Sequence, residues 1–159
     1  MKIGLFFGSF NPIHVGHLVI ASSIHQYGNL EHVWFVVSPQ NPFKKKNTLL
    51  GEYDRLHLVE LAIKEDYRFT TSSVEFKMPQ PSYTIDTLTY LTEKHPEHDF
   101  CLIMGGDNLK SLHNWKNYEQ ILENYELMVY VREEKELPFK DHPNVCVLHF
   151  PNLQISSTY

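Results

Sequence analysis

Short apolar runs rich in β-branched and aromatic residues alternate along the chain with longer stretches in which apolar residues recur at helical spacing. This alternation is typical of βαβ units, in which helices connect parallel strands. The apolar runs predict strands over Ile3–Phe7, His32–Val37, Phe69–Ser73, Phe100–Met104, Leu127–Val131 and Val145–His149. The periodic stretches predict helices over Gly16–Tyr27, Leu50–Glu65, Thr84–Lys94, Asp107–Leu112 and Tyr118–Asn124.

Residues that end helices and strands stand at several of these boundaries. Gly28 follows the first helix as a C-cap, Pro39 closes the second strand, and Pro96 lies just beyond the third helix. We therefore expect an α/β fold, a Rossmann-like parallel sheet with helices on both faces. Ligands of such sheets bind outside the carboxyl ends of the strands, where the strand order reverses, so functional residues are expected in the loops after the strands.

Composition narrows the class of protein. With 159 residues and 42% hydrophobic residues, the chain fits one globular domain, residues 1–159. A net charge of -5 argues against a protein that coats nucleic acid, because polyanion binding needs a broad basic face. The sequence contains neither a membrane-spanning apolar run nor a secretory leader, so we expect a cytoplasmic protein without membrane contact.

Cysteine and most histidine residues give no sign of a metal site. Cys101 and Cys146 lie in apolar runs outside any C-x-x-C pair, so both are expected to be core thiols. His113 falls near a segment that could line a pocket, but a single histidine does not indicate a functional site. Seven of the ten histidines are scattered without metal-ligand spacing, namely His25, His32, His57, His95, His98, His142 and His149. We expect no metal site made by protein side chains.

The clearest chemical signal is GSFNPIHVGH, which directly follows the first predicted strand. Gly8 and Ser9 allow the backbone to approach a ligand, and Pro12 ends the strand. A helix then begins near His14, so His14 and His17 lie on one face of its first turn, where free N–H groups attract anions. Neutral imidazole donates one hydrogen bond and the charged form two, which suits a phosphate site. The alternative is a Gly-Pro loop with two histidines satisfied at a helix start.

This stretch resembles the nucleotidyltransferase superfamily motif Gly-[Ser/Thr]-Phe-[Asp/Asn]-Pro-x-His-x-Gly-His, whose two histidines bind the triphosphate of a nucleotide. Asn11 stands where many members have Asp. Four later segments resemble the bacterial nicotinate mononucleotide adenylyltransferases in order: PQNPFKKK, PSYTIDTL, GGDNLKSLHNW and ISST. The resemblance implies that Gly8, Ser9, Phe10, His14 and His17 bind ATP, with the two histidines acting in catalysis.

The third predicted helix offers a second anion site. Ser82 or Thr84 can cap a helix beginning near Ile85, which leaves nearby N–H groups for a small anion, although an ordinary capped helix has the same pattern. In the family this segment holds the pyridine carboxylate, so the resemblance implies mononucleotide binding by Thr84, with Tyr83 as a weaker candidate.

Trp115 follows a strand, a Gly-Gly-Asp turn and a short helix, which predicts a ring near the carboxyl edge of the sheet. A lone tryptophan is more often a packing residue, but the family places one at this spacing against the nicotinate ring. Asp107 can cap the following helix, and it resembles the family aspartate that contacts the bound nucleotide.

Charged and hydroxyl residues complete the implied site. Lys44 fits the family's basic residue at the substrate phosphate, whereas a lysine in such a loop is usually solvated. Arg132 leaves the fifth strand and either contacts phosphate or lies on the surface. Ser156, Ser157 and Thr158 resemble the start of the family's Ile-Ser-Ser-Thr-x-Ile-Arg motif, which binds ATP phosphates. The Ile-Arg and the usual C-terminal helix do not follow, so we expect either that the sequence is a shortened form or that triphosphate binding is weakened.

The resemblance implies adenylyl transfer from ATP to nicotinate mononucleotide in NAD biosynthesis, with Mg²⁺ accompanying ATP. ATP and a pyridine mononucleotide would then be the partners of the chain. Two alternatives stay open: a related adenylyltransferase for nicotinamide mononucleotide or phosphopantetheine, and a non-catalytic domain that binds nucleotide.

Overall fold

The computed structural model describes residues 1–39, 50–132 and 136–150. Its strands and helices have boundaries within two residues of those predicted. The strands are β1 (Lys2–Gly8), β2 (His32–Val37), β3 (Phe69–Ser72), β4 (Asp99–Gly105), β5 (Glu126–Val131) and β6 (Val145–His149). The α-helices are α1 (Val15–Tyr27), α2 (Glu52–Ile63), α3 (Thr84–Lys94), α4 (Gly106–Ser111) and α5 (Tyr118–Asn124), with short 3-10 helices at Val74–Lys77 and Leu112–Asn114.

The six strands form one parallel sheet in the order β3-β2-β1-β4-β5-β6. From β1 the chain adds β2 and then β3 on one side of the sheet. From β4 it adds β5 and then β6 on the other side, so the strand order reverses between the neighbours β1 and β4. Phe6 of β1 pairs with Ile103 of β4, and each strand ends two residues after that pair. The loops after Gly8 and Gly105 consequently share the crevice where ligands of doubly wound sheets bind.

Helices cover both faces of the sheet, as predicted. One face packs against α1 and α2 through Ala21, Ile24, Val59 and Ile63. The other face packs against α3, α4 and α5 through Ile85, Leu88, Leu109 and Ile121. Alternate residues of each central strand enter the two cores, which explains why β1, β2 and β4 read as nearly continuous apolar runs. The expected α/β class is confirmed.

The two cysteines differ in their environment. Cys101 on central strand β4 is buried, as expected, and burial raises the pKa of its thiol to about 12. Cys146 is exposed, so its prediction as a core thiol is wrong. Strand β6 lies at the edge of the described sheet, and each of its residues is partly or fully exposed.

Candidate active site

The side chain of Phe10 packs in the core beneath the loop between β1 and α1. This residue adopts a positive φ of 48° and its ring lies in the core, 5.6 Å from the ring of Phe6 and 5.5 Å from that of Phe35. A Cβ added at Gly8 would lie 3.0 Å from the Phe10 ring, so a larger residue there would have to displace this ring. Only 2% of Phe10 is exposed. The predicted ATP-binding role of Phe10 is untested, and its buried side chain leaves the backbone as the part of this residue that can reach a ligand.

His14 and His17 are locked together at the start of α1. His14 is the N-cap, and its Nδ1 accepts a hydrogen bond of 3.0 Å from the backbone N–H of Gly16. The Nδ1 of His17 accepts one of 3.1 Å from the backbone N–H of His14. The ring centroids lie 3.9 Å apart. The sequence prediction that these imidazoles share one face of the first turn is therefore seen in the structure, with both rings also serving as caps.

These hydrogen bonds fix the tautomer of both rings. A backbone N–H can only donate, so each Nδ1 must present its lone pair, and the proton of the neutral ring lies on Nε2. The Nε2 of His14 is buried and has no hydrogen-bond partner among the described residues. A buried donor without a partner is costly, and an anionic ligand would satisfy it. The pair thus offers two Nε2–H donors.

The His17 ring is neutral at physiological pH. Burial and, to a smaller extent, the neighbouring His14 lower the pKa of His17 to about 4. Phe10 and Phe6 contribute to this burial, with ring centroids 5.1 Å and 6.3 Å from that of His17. His17 can therefore stabilise a phosphate through a dipolar N–H without carrying a full charge.

The depressed pKa of His17 predicts that the protein loses stability in acid. The unfolded ring binds a proton near pH 6.5 and the folded ring only near pH 4, so the unfolded chain holds more protons between these values. The free energy of unfolding should therefore fall as the pH decreases through this window. Urea denaturation at pH about 7 and about 4.5 would measure it. His17→Asn should show a smaller fall, and an identical pH dependence in both proteins would contradict the prediction.

A cavity of about 610 Å³ lies where β4 and β5 end. Gly105 and Gly106 form one wall, and a Cβ at Gly105 would lie 3.2 Å from the ring of Tyr130. Asp107 lies exposed in the first turn of α4, whose N-cap is Gly105, so Asp107 lines the cavity and does not cap the helix. Arg132 is exposed and also lines the cavity. The cavity thus presents both signs of charge.

Burial raises the pKa of the Tyr130 hydroxyl, and Arg132 opposes this shift while Asp107 adds to it. The Tyr130 ring also lies 6.3 Å from that of Phe6, on β1. Since Phe6 contacts His17, Tyr130 connects the histidine pair to the cavity beside α4.

The start of α3 lies next to the Trp115 segment. The Nζ of Lys116 is 3.1 Å from a carboxylate oxygen of Asp86, in the first turn of α3, and 4.9 Å from the ring centroid of Tyr83. Trp115 is half-buried against the core, and Tyr83 is exposed. The structure therefore brings Tyr83 and Thr84 close to the residue that follows Trp115.

The predicted cap of α3 is wrong. The N-cap is Tyr83, and its side chain makes no capping bond. Ser82 acts instead on the buried carboxyl group of Glu75, whose pKa it helps to lower. The first backbone N–H groups of α3 have no partner within the helix, so without a side-chain cap they can receive an anion.

Glu75 is a buried carboxyl group behind the start of α3 that the sequence analysis did not identify. It accepts a hydrogen bond of 2.8 Å from the hydroxyl of Thr87 on α3. Burial raises its pKa, while hydrogen bonds from Thr87, Ser38 and Ser82 act in the opposite direction. Glu75 therefore joins the end of β2 to the first turn of α3. A signal for it was Thr87, a polar residue among the buried positions of that helix.

Arg55 is the second functional candidate that was missed. It is fully buried, and its Nη1 donates to the carbonyl oxygens of Ser9 at 2.5 Å and Ser38 at 2.8 Å, while its Nε donates to that of Leu50 at 3.0 Å. One cation thus joins the loop after β1 to the residue after β2. Burial lowers its pKa. The available signal was its spacing of four from Val59, within the buried stripe of α2.

The remaining predicted residues lie outside the described part of the chain. These are Lys44, Ser156, Ser157 and Thr158. Asn11, in the histidine loop, accepts a hydrogen bond of 2.9 Å from the N–H of Leu50, which follows the undescribed segment 40–49. In the described chain no helix is long and apolar enough to cross a membrane.

The crevice therefore combines a paired imidazole set, an adjacent cavity and an uncapped helix start. The family described as cytidylyltransferase-like matches residues 5–159. Proteins of Cytophaga hutchinsonii and Flavobacterium johnsoniae, each named "Probable nicotinate-nucleotide adenylyltransferase", are 54% and 52% identical to this chain. Both matches cover 100% of this chain, and 83% and 84% of those relatives respectively.

A solved structure shares the fold. Plasmodium falciparum nicotinic acid mononucleotide adenylyltransferase complexed with NaAD superposes with a TM-score of 0.81 at 19% identity, and the match covers 99% of this chain and 80% of that one. The chain belongs to the cytidylyltransferase-like family, in the branch whose named members are nicotinate-nucleotide adenylyltransferases.

Proposed function

We propose that the chain transfers the adenylyl group of ATP to nicotinate mononucleotide, releasing pyrophosphate and forming nicotinate adenine dinucleotide for NAD biosynthesis in the cytoplasm. The observation that carries this proposal is the pair of Nε2–H donors of His14 and His17 at the point where the strand order reverses. The named relatives at more than half identity support it.

The chemistry requires no general base. A phosphate oxygen of the mononucleotide, already anionic at neutral pH, attacks the α-phosphorus of ATP and forms the new P–O bond. The bond from that phosphorus to the bridging oxygen breaks, and its electron pair leaves with pyrophosphate. The protein contributes positioning and stabilisation of the charge that develops on the phosphoryl oxygens.

The residues for the triphosphate side are those around α1 and α4. His14 and His17 donate to the phosphoryl oxygens, and the first N–H groups of α1 add the helix dipole. Gly8, Ser9 and the Phe10 backbone line the approach, and Asp107 contacts the nucleotide from α4. Ser156, Ser157 and Thr158 would bind the remaining phosphates.

Members of this enzyme class use ATP with a divalent metal, and we propose Mg²⁺. Asp107 is the single carboxylate among the described residues that line the cavity. One exposed carboxylate fits a hydrated Mg²⁺ that arrives on the phosphates of ATP, through a water, and not a resident ion held by protein ligands. When bound, the ion would neutralise part of the negative charge of the ATP phosphates.

The mononucleotide side lies at α3. The uncapped N–H groups at Thr84 and Ile85 suit a carboxylate, which accepts more strongly than an amide oxygen. The ring of Trp115 would stack on the pyridine, with Tyr83 at the rim. Lys44 and Arg132 would meet the mononucleotide phosphate. These contacts favour the acid over nicotinamide mononucleotide.

A pyrophosphate-release assay with ATP and Mg²⁺ tests the proposal. Nicotinate mononucleotide should be turned over, nicotinamide mononucleotide more slowly, and phosphopantetheine not at all. ATP binding without pyrophosphate release from any acceptor would indicate the non-catalytic alternative.

Trp115→Ala should raise the KM for the mononucleotide roughly tenfold or more through loss of stacking, with the KM for ATP nearly unchanged. Tyr90→Ala, an exposed aromatic farther along α3, is the matched control.

A further inference from the structure

Two imidazoles and a carboxylate meet in the loop between α3 and β4. Donor atoms of His95, Glu97 and His98 all lie within 4.8 Å of one another. His95 is the C-cap of α3, and His98 directly precedes β4. The cluster is thus at the amino-terminal edge of the parallel sheet, opposite the loops that carry the histidine pair of the active site. Both histidines are among those predicted to have no metal-ligand spacing, because their arrangement is not visible in the sequence.

The spacing of the histidine nitrogens around the Glu97 carboxylate fits a shared cation. The Nδ1 of His95 and the Nε2 of His98 each lie 3.5 Å from the same oxygen of Glu97. Good hydrogen bonds between such groups are about 2.7–3.2 Å long. Ligands at about 2.0–2.1 Å from a tetrahedral ion are roughly 3.3 Å apart, close to the two histidine-to-Glu97 separations.

Packing holds the two rings in this arrangement. The indole of Trp34 meets His95 and His98 edge-on, at centroid distances of 5.4 Å and 6.0 Å. Phe100 contacts both rings from the core side, and the N–H of His98 donates to the carbonyl oxygen of His95 at 3.1 Å. The fold has therefore already ordered the imidazoles, which lowers the entropy cost of binding an ion.

The identity of the donors selects the kind of ion. Imidazole with a carboxylate suits divalent first-row transition metals and zinc, whereas Mg²⁺ and Ca²⁺ prefer oxygen ligands. The Nδ1 of His98 is buried and has no partner among the described residues, so Nε2 is the ligating atom of that ring. An Nδ1–H without an acceptor lacks the second hydrogen bond that strengthens metal-bound histidine, which predicts moderate affinity.

We propose that His95, Glu97 and His98 form a binding site for one divalent transition-metal ion of the zinc type, with water completing the coordination. The ion would fasten the end of α3 to the start of β4. The ion would also lie close to Met1, because the terminal ammonium of Met1 donates to the carbonyl oxygen of Glu97 at 3.2 Å. This site is separate from the metal that accompanies ATP.

Equilibrium dialysis of the metal-free full chain with Co²⁺ tests the proposal. The His95→Ala/His98→Ala double variant should bind one equivalent less than the wild type. Glu97→Gln should weaken binding at this site at least about tenfold, and it keeps the packing because the Glu97 side chain is 60% exposed. His57→Ala, which removes an exposed histidine of α2, should bind as the wild type does.

A local readout separates this site from metal binding by the active-site histidines. In a Trp115→Phe background, Trp34 is the remaining tryptophan, and Co²⁺ bound beside it should quench its fluorescence. Quenching should be lost in the double variant and weakened by Glu97→Gln. Equal stoichiometry and equal quenching in wild type and variants, or no Co²⁺ binding by the wild type, would overturn the proposal. If the double variant fails to fold, Glu97→Gln alone decides the outcome.

Discussion

Replacing His17 with alanine is expected to lower kcat on the order of a hundredfold or more. Its Nε2–H is one of two donors fixed at the start of α1, and the loss of a comparable charge-stabilising donor in other enzymes has an effect of this size. Steady-state pyrophosphate release with saturating ATP and nicotinate mononucleotide would measure it. Because alanine also removes the cap that accepts from the His14 N–H, this variant alone mixes a catalytic and a structural effect.

Two further substitutions at His17 separate these effects. Asparagine places an acceptor near the position of Nδ1 and removes the distal donor, so His17→Asn should retain stability yet lose as much kcat as alanine. Glutamine places an N–H near the position of Nε2, so His17→Gln should recover part of kcat. Wild-type turnover by His17→Asn would refute the assigned role, because it would show that only the cap matters.

Replacing Arg55 with methionine is expected to have the largest effect on stability. The carbonyl oxygens of Ser9 and Ser38 would lose their donor, at about 1–3 kcal/mol for each buried group left unpaired. The free energy of unfolding should fall by about 2–6 kcal/mol, measured by urea denaturation. Because Ser9 lies in the histidine loop, kcat should also fall roughly tenfold to a hundredfold at a temperature where the variant is folded.

Matched variants identify the source of this effect. Arg55→Lys retains the charge but cannot reproduce the fork of donors, so an intermediate loss is expected. Arg68→Met removes an arginine that pairs with Asp66 at a partly exposed site, and it should cost only about 0–1 kcal/mol. A folded Arg55→Met protein with wild-type kcat would show that Arg55 stabilises the fold without positioning the loop.

The residues that sequence reasoning missed share one physical property. Arg55 and Glu75 are polar groups whose partners are distant in the chain: Arg55 bonds to Ser9, 46 residues away, and Glu75 to Thr87, 12 residues away. Local patterns cannot show whether a charged residue in a helix finds carbonyl or hydroxyl partners. The same limit explains Cys146, since exposure depends on its strand lying at the edge of the sheet.

The histidine pair could be predicted because its geometry is local. His14 and His17 stand three residues apart around a helix start, and local hydrogen bonds alone decide how their rings meet. His95 and His98 have the same spacing, yet nothing local indicated a site there. Their arrangement depends on Trp34, which reaches them from β2, as well as on the nearby Phe100.

By itself, the sequence determined the alternation of strands and helices, their boundaries and the pairing of two imidazoles after β1, because these depend on side-chain periodicity and on contacts within one turn. The tertiary structure decided which loops and side chains of these elements lie next to each other. Only the sheet order brings Gly8 beside Gly105, lets Arg55 join two loops, and leaves the start of α3 uncapped beside Trp115. Such contacts join residues far apart in the chain, and their energies depend on burial and partners that exist only after folding.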